Sequence, residues 1–329
     1  MRTRLTELLD IEHPVMLAGM GGVSYAALAA AVSAAGGFGC LGASTMGADQ
    51  LVSEMAAVRA ATDQPFGVDL LAVMGDELLQ RVQALIDGGA SLFVAGLGVP
   101  IDAVDLCHRN GVLVASMCGK VSHAERAVAS GCDLVVAQGT EAGGHTGQVA
   151  TMPLVPQVVD AVGDRVPVVA AGGIFDGRGL AAALALGADG VWVGTRFIAT
   201  PEARGVAGYK EALLAAGEDA TLISRAYSGK PMRVLRNEYT DHFVEHPDEL
   251  KPFPAQLGRA MSSGAWHLGG DERTTDIDPS KEGFPAGQGV GGIDQLVPTA
   301  ELMARFIAEA DQALERLQAI AADRAGTAL

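Results

Sequence analysis

The chain has 329 residues, 49% of them hydrophobic, and a formal charge of −16. That length suits one large domain, or one domain with an insertion, and that apolar share can fill a large core. So acidic a chain offers no basic patch, which excludes nucleic acid and an anionic membrane surface as expected partners.

In chain order, short apolar runs alternate with helical patterns. Residues 15–18 read as a strand ending in Gly19, Met20, Gly21 and Gly22. An alanine-rich helix follows over 24–35, with Ser24 as its expected N-cap. Strands are expected over 38–41, 66–71, 92–95, 112–116, 134–137, 166–171 and 190–193. Helices are expected over 48–62, 77–87, 101–109, 123–129, 154–162 and 177–186. The strands are continuous apolar runs, as expected when both faces are buried. Eight strand-helix units predict an α/β fold, a (β/α)8 barrel. The rival is an open doubly wound sheet, disfavoured by the unit count and by the absence of G-x-G-x-x-G at the first turn. After residue 200 the rhythm changes. Residues 202–285 read as an inserted, mainly helical cap, and a helix over 294–322 completes the barrel. The expected organisation is a barrel of 1–201 and 286–329 with a substrate cap of 202–285. An insertion after the eighth strand would lie over the C-terminal face, where barrel active sites sit.

The four cysteines, Cys40, Cys107, Cys118 and Cys132, form no C-x-x-C pair and lie in or beside apolar runs. Buried free thiols are expected, and no metal site. Residues 1–10 hold no apolar core of signal-peptide length and no apolar run reaches membrane-spanning length, so a cytoplasmic location is expected. Composition leaves the oligomeric state open between monomer and homodimer.

Four glycine-rich loops should meet at the C-terminal face. They are 18–22, 138–147, 171–174 and 194–196. The last two follow the seventh and eighth strands, where barrels often bind phosphate with backbone N–H groups, so Gly172, Gly173, Gly194 and Thr195 are the candidates. The second loop, Gln138-Gly139-Thr140-Glu141-Ala142-Gly143-Gly144-His145-Thr146-Gly147, carries one imidazole between glycines. Glycines let the backbone approach a ligand closely, and histidine is the side chain best suited to proton transfer near neutral pH. His145 is therefore read as facing a cavity, as a base or a substrate contact. Glu141 either orients it or faces solvent. His13, His108 and His123 lie near element ends and are expected to be solvated. His242 and His246 have i,i+4 spacing but no third ligand. Tyr227, Arg233 and Trp266 are candidates for a substrate entrance.

The glycine-histidine loop, together with Pro14-Val15-Met16-Leu17-Ala18-Gly19-Met20, Pro65-Phe66-Gly67-Val68-Asp69-Leu70, Ala171-Gly172-Gly173-Ile174, Gly194-Thr195-Arg196-Phe197 and Ala286-Gly287-Gln288, resembles the nitronate monooxygenase family, formerly the 2-nitropropane dioxygenases. The superfamily also contains FMN-dependent enoyl-acyl-carrier-protein reductases and NADH:quinone reductases. The resemblance implies an FMN-binding barrel. Gly172, Gly173, Gly194 and Thr195 would hold the phosphate, and Ala18, Gly19 and Met20 would pack on the isoalloxazine. Lys120 would lie near the ring or ribityl, Gln138, Gly139 and Gly144 along the flavin edge, and Gly287 and Gln288 would close the site. His145 would be the catalytic base. Asp69 stands where the family commonly has an amide that hydrogen-bonds the flavin. The implied activity is oxidation of alkyl nitronates or nitroalkanes with O2. The alternatives are an NAD(P)H-dependent FMN reductase of a quinone or enoyl thioester, and a flavin-carrying barrel without turnover.

Overall fold

The computed structural model describes residues 1–72, 77–96 and 98–326, so the last three residues of the expected 286–329 segment lie outside it. The chain opens with α1 (Arg4–Leu9), capped reciprocally by Thr3 and Thr6. Then follow β1 (Val15–Leu17), α2 (Ala26–Ala34), β2 (Gly39–Gly42), α3 (Ala48–Ala61), β3 (Phe66–Leu71), α4 (Glu77–Asp87), β4 (Leu92–Gly96), α5 (Ile101–Arg109), β5 (Leu113–Cys118) and α6 (Val121–Ala129). Next come β6 (Leu134–Gln138), the two-residue β7 (Gly144–His145), α7 (Thr151–Val162), β8 (Val168–Ala171), α8 (Gly177–Ala185), β9 (Gly190–Val193) and the short α9 (Thr195–Ile198).

Eight strands form one parallel sheet in the order β1-β9-β8-β6-β5-β4-β3-β2. The ring closes where Leu17 N–H donates to Phe38 O and Phe38 N–H to Val15 O, both at 2.9 Å. This is the (β/α)8 barrel that the strand count predicts. Side chains alternate along each strand. Phe38, Leu92, Val94, Leu134, Val136 and Val169 fill the interior, and Leu5 and Leu9 of α1 join them, so α1 plugs the N-terminal end. Leu17, Val68, Phe93, Val114, Val135 and Val168 face outward onto the helices. The four cysteines are buried and free.

Helix starts differ from expectation in several places: α6 and α7 begin two and three residues early, and α2 and the last helix begin late. Ser24 does not cap α2; its Oγ accepts from Met20 N–H at 2.7 Å, so the hydroxyl is spent on the tight loop after β1. The last helix, α13 (Thr299–Gly326), starts after 294 because Pro298 disfavours helical backbone in the residue before it. Glu202 then accepts from Thr299 N–H at 3.1 Å and caps the helix.

Before it, the chain forms α10 (Tyr209–Leu214), β10 (Thr221–Ser224), β11 (Met232–Leu235), α11 (Glu238–Glu245) and α12 (Ala255–Ser262). Tyr227, Met232, Val234, Phe243, Ala260 and Ala265 make a core of their own. β11 pairs antiparallel with β10 on one side and with β7 on the other. No described helix is long and apolar enough to cross a membrane.

Candidate active site

A cavity of about 560 Å³ opens at the C-terminal ends of the ring strands. Its floor and barrel-side walls include Gly19 after β1, Ser44 after β2, Asp69 on β3, Gly96 on β4, Met117 on β5, Gln138 on β6, Ala171 on β8 and Trp192 on β9. Ser228, Lys230, Met232, Phe253, Trp266 and His267 cover it from the 202–285 segment.

His145 stands on β7, and its position is set from both sides. Met232 pairs with it across the β7–β11 ladder, and Gln138 Nε2 donates to its carbonyl at 2.8 Å. Its Nε2 lies 2.9 Å from Ser228 Oγ, and its Nδ1 makes no hydrogen bond to the described residues. The ring is open to the cavity, yet enough protein surrounds it that burial lowers its pKa, and nearby Lys230 lowers it further. Both effects favour the neutral imidazole, the form that accepts a proton. Arg233 braces the same loop by donating to Thr140 O at 3.0 Å.

Glu141 neither orients His145 nor faces solvent. It accepts from Thr151 N–H at 2.7 Å and from the Thr151 hydroxyl, fastening the loop to the start of α7. Behind it, Gly172 (φ +105) and Gly173 (φ +74) take backbone conformations that L residues rarely adopt. A Cβ on Gly172 would lie 2.8 Å from Thr151 Oγ1 and 2.9 Å from Gly139 O. The N–H groups of Gly172 and Gly173 make no hydrogen bond to the described residues. Free amide donors on a side-chain-free cavity wall fit a bound phosphate. Thr195 Oγ1 accepts from Gly287 N–H at 2.9 Å, tying the 286–288 loop to the same wall.

Gly19, Met20, Asp69, Gln138, Gly144, His145, Gly172, Gly173, Gly194, Thr195 and Gly287 all line the cavity. Ala18 and Gly139 are buried just behind it, and Gln288 is exposed beside it. Lys120 is exposed at the N-cap of α6, outside the cavity wall, and makes no ion pair with Asp69. Burial pushes the Asp69 carboxyl well above the usual range, which favours its neutral form. A neutral acid can donate a hydrogen bond, as an amide does.

Trp266 lines the cavity; Tyr227 and Arg233 stand behind it. His242 bonds Glu249 at 3.1 Å and His246 bonds the His242 carbonyl, on the surface. His13 is not solvated: its Nδ1 is buried without a partner among the described residues. Sequence reasoning missed Ser228 and the pair His267–Glu282. His267 Nδ1 lies 2.7 Å from Glu282 Oε2, and both residues line the cavity.

A family model described as nitronate monooxygenase matches residues 2–79 and 72–309. The chain is 42% identical over 272 residues to a (3aS,4S,5R,7aS)-5-hydroxy-7a-methyl-1-oxo-octahydro-1H-indene-4-carboxyl-CoA dehydrogenase of Mycobacterium tuberculosis, across 81% of this chain and 76% of that protein. The solved structure of FabK from Thermotoga maritima superposes with a TM-score of 0.87 at 35% identity, covering 97% of this chain and 99% of that one. A nitroalkane oxidase from Streptomyces ansochromogenes superposes with a TM-score of 0.79 at 30% identity, covering 94% and 99%. With its barrel, its glycine-histidine loop and a family match that spans most of its length, this oxidoreductase chain belongs to the nitronate monooxygenase family.

Proposed function

We propose that the protein is an FMN-dependent oxidoreductase that oxidises carbon acids, with alkyl nitronates and their parent nitroalkanes as substrates and O2 as the final acceptor. The observation that carries this is His145, an exposed imidazole on the cavity wall whose Nε2 is held by Ser228 and whose neutral form is favoured by burial and Lys230. An α-proton beside a nitro group is acidic enough for such a base. Gly172, Gly173, Gly194 and Thr195 would hold the FMN phosphate, and Gly19, Met20, Asp69 and Gln138 would lie along the ring. When bound, FMN supplies the two-electron acceptor. His145 takes the proton, Ser228 holds the ring in place, and residues 202–285 act as an inserted cap that keeps bulk water away from the barrel of 1–201 and 286–329.

A second reading is that the carbon acid is an acyl thioester. The 42% relative, whose name specifies a carboxyl-CoA substrate, favours it. Anaerobic mixing separates the readings. Bleaching of the bound flavin by nitroethane or its nitronate, without nicotinamide, supports the first. Bleaching by an acyl-CoA but not by the nitro compounds supports the second, and bleaching only by NADH or NADPH sinks both and favours a reductase.

A further inference from the structure

Ser228, Gly229 and Lys230 form a tight turn beside His145. Ser228 Oγ, 2.9 Å from His145 Nε2, accepts from Lys230 N–H at 3.2 Å. One hydroxyl therefore fixes the imidazole and the lysine backbone relative to each other. Gly229 seats the turn on a later stretch of the 202–285 segment: a Cβ there would lie 2.6 Å from Phe253 N and 2.8 Å from Lys251 O. The Lys230 ammonium rests over the Phe253 ring, 4.3 Å from its centroid, and both residues line the cavity.

The half-buried Lys230 side chain makes no ion pair and no hydrogen bond with the described residues. Among the described residues that line the cavity, it is the one lysine or arginine. The two carboxyl groups on that wall do not offset it. Burial favours the neutral form of Asp69. Glu282 uses both oxygens on His267, one 2.7 Å from Nδ1 and the other accepting from the backbone N–H at 3.0 Å. A chain of formal charge −16 thus keeps an unpaired cation at its cavity. Partial burial of a cation without a carboxylate is unfavourable, and an anionic ligand would offset that cost.

We propose that Lys230 is a specificity-determining residue that binds the anionic form of the substrate, pairing its ammonium with the nitronate oxygens beside His145. This rests on the nitronate reading. A preformed nitronate brings its negative charge to the cation directly. With a neutral nitroalkane, the C–H bond breaks, the proton passes to His145, and the electron pair moves onto the nitro oxygens. The same anion then forms beside the same cation, but an imidazolium forms with it. Lys230 favours the first charge and opposes the second, so the two effects work against each other. Lys230 therefore aids a preformed nitronate more than it aids deprotonation of the nitroalkane.

The test uses the flavin-loaded protein, Lys230→Met, which keeps an unbranched stem without the charge, and Lys230→Arg, which keeps the charge. The readouts are flavin content, kcat/KM for ethylnitronate and for nitroethane, and binding of propionate against neutral propionamide, followed by the flavin spectrum. Wild type is expected to bind propionate about 10-fold or more tightly than propionamide, a readout that needs no variant to fold. Lys230→Met is expected to lower kcat/KM for ethylnitronate by about 10- to 100-fold, to lower that for nitroethane by a smaller factor, and to erase the propionate preference. Lys230→Arg is expected to keep that preference. Equal binding of propionate and propionamide by wild type, or an unchanged ratio of the two nitro substrates in Lys230→Met, overturns the proposal. So does loss of flavin from Lys230→Met, which would make the lysine a cofactor contact. If wild type turns over neither nitro compound, the nitronate reading fails and the carboxylate probe decides on Lys230. A propionate preference lost in Lys230→Met then upholds anion binding, and one retained there refutes it.

Discussion

Gly172→Ala tests whether the wall between β8 and His145 must be free of side chains. At φ +105 an L residue is strained, by about 1–2 kcal/mol for left-handed backbone. The new Cβ would also lie 2.8 Å from Thr151 Oγ1 and 2.9 Å from Gly139 O. Neither contact can swing away, because Glu141 holds Thr151 and Gly139 N–H bonds Ala171 O at 2.9 Å. Overpacking of this kind costs about 1–3 kcal/mol. The sum, about 2–5 kcal/mol, falls on the conformation that offers the free N–H groups. If the loop relaxes locally, FMN affinity drops by about 30- to 3,000-fold. If the cost is shared by the whole fold, Tm falls by roughly 3 °C or more. The control is Gly258→Ala on exposed α12, where a Cβ meets nothing within 4 Å. There the same change should stabilise by about 0.5–1 kcal/mol. Flavin titration and thermal melts of both variants decide. Equal FMN affinity and equal Tm in Gly172→Ala and wild type would refute the reasoning.

Gly173→Asp should abolish FMN binding, since it adds an anion where backbone donors await one, while exposed Glu211→Ala should bind normally; flavin content reads both. His145→Asn should keep flavin and lose about 10²–10⁴-fold on nitroalkanes, but much less on preformed nitronates. Because burial and Lys230 lower the His145 pKa, wild-type nitroalkane turnover should fall with decreasing pH only below the ordinary histidine value of about 6.5; a limb above it contradicts the assignment. Ser228→Ala removes the 2.9 Å partner of Nε2 and should cost about 3- to 10-fold in kcat with KM nearly unchanged. For Asp69 the folded carboxyl lies above the unfolded one, so wild-type stability is lost as pH rises through that window. Asp69→Asn should therefore melt higher than wild type near neutral pH. The gap should narrow as pH falls toward the unfolded carboxyl value of about 3.9; a gap that widens as pH falls refutes a raised Asp69 carboxyl.

The barrel was legible because its signal is long-range and redundant. Runs such as Leu134–Ala137 and Val168–Ala171 are apolar on both faces, and they recur often enough to count. The glycine wall of the cavity was legible because glycine marks unusual backbone directly. What escaped was local and unpatterned. β7 is two residues inside a glycine loop, and no alternation can announce a strand that short. Its partner β11 is an apolar-polar-apolar run split from β10 by residues 225–231. His267 and Glu282 lie fifteen residues apart in irregular chain, so no helical or strand period links them. Ser24 shows the opposite error. A serine before a helix is a good N-cap by type, but a tight loop claimed its hydroxyl first.

The β7–β11 ladder also limits how this protein could be recombined with its relatives. His145 opposes Met232 and Gly144 opposes Arg233, so the glycine-histidine loop and the 202–285 segment share one strand register. A segment grafted from another barrel with one residue more or fewer before β11 would exchange the faces of Met232 and Arg233. The arginine would then enter the cavity beside His145, and Thr140 would lose its brace. Chimeras that move residues 139–150 and 202–285 together should stay active where single-segment swaps fail. On the reading of His145 as the base, a change in this ladder would alter substrate range and proton transfer together rather than as separable modules.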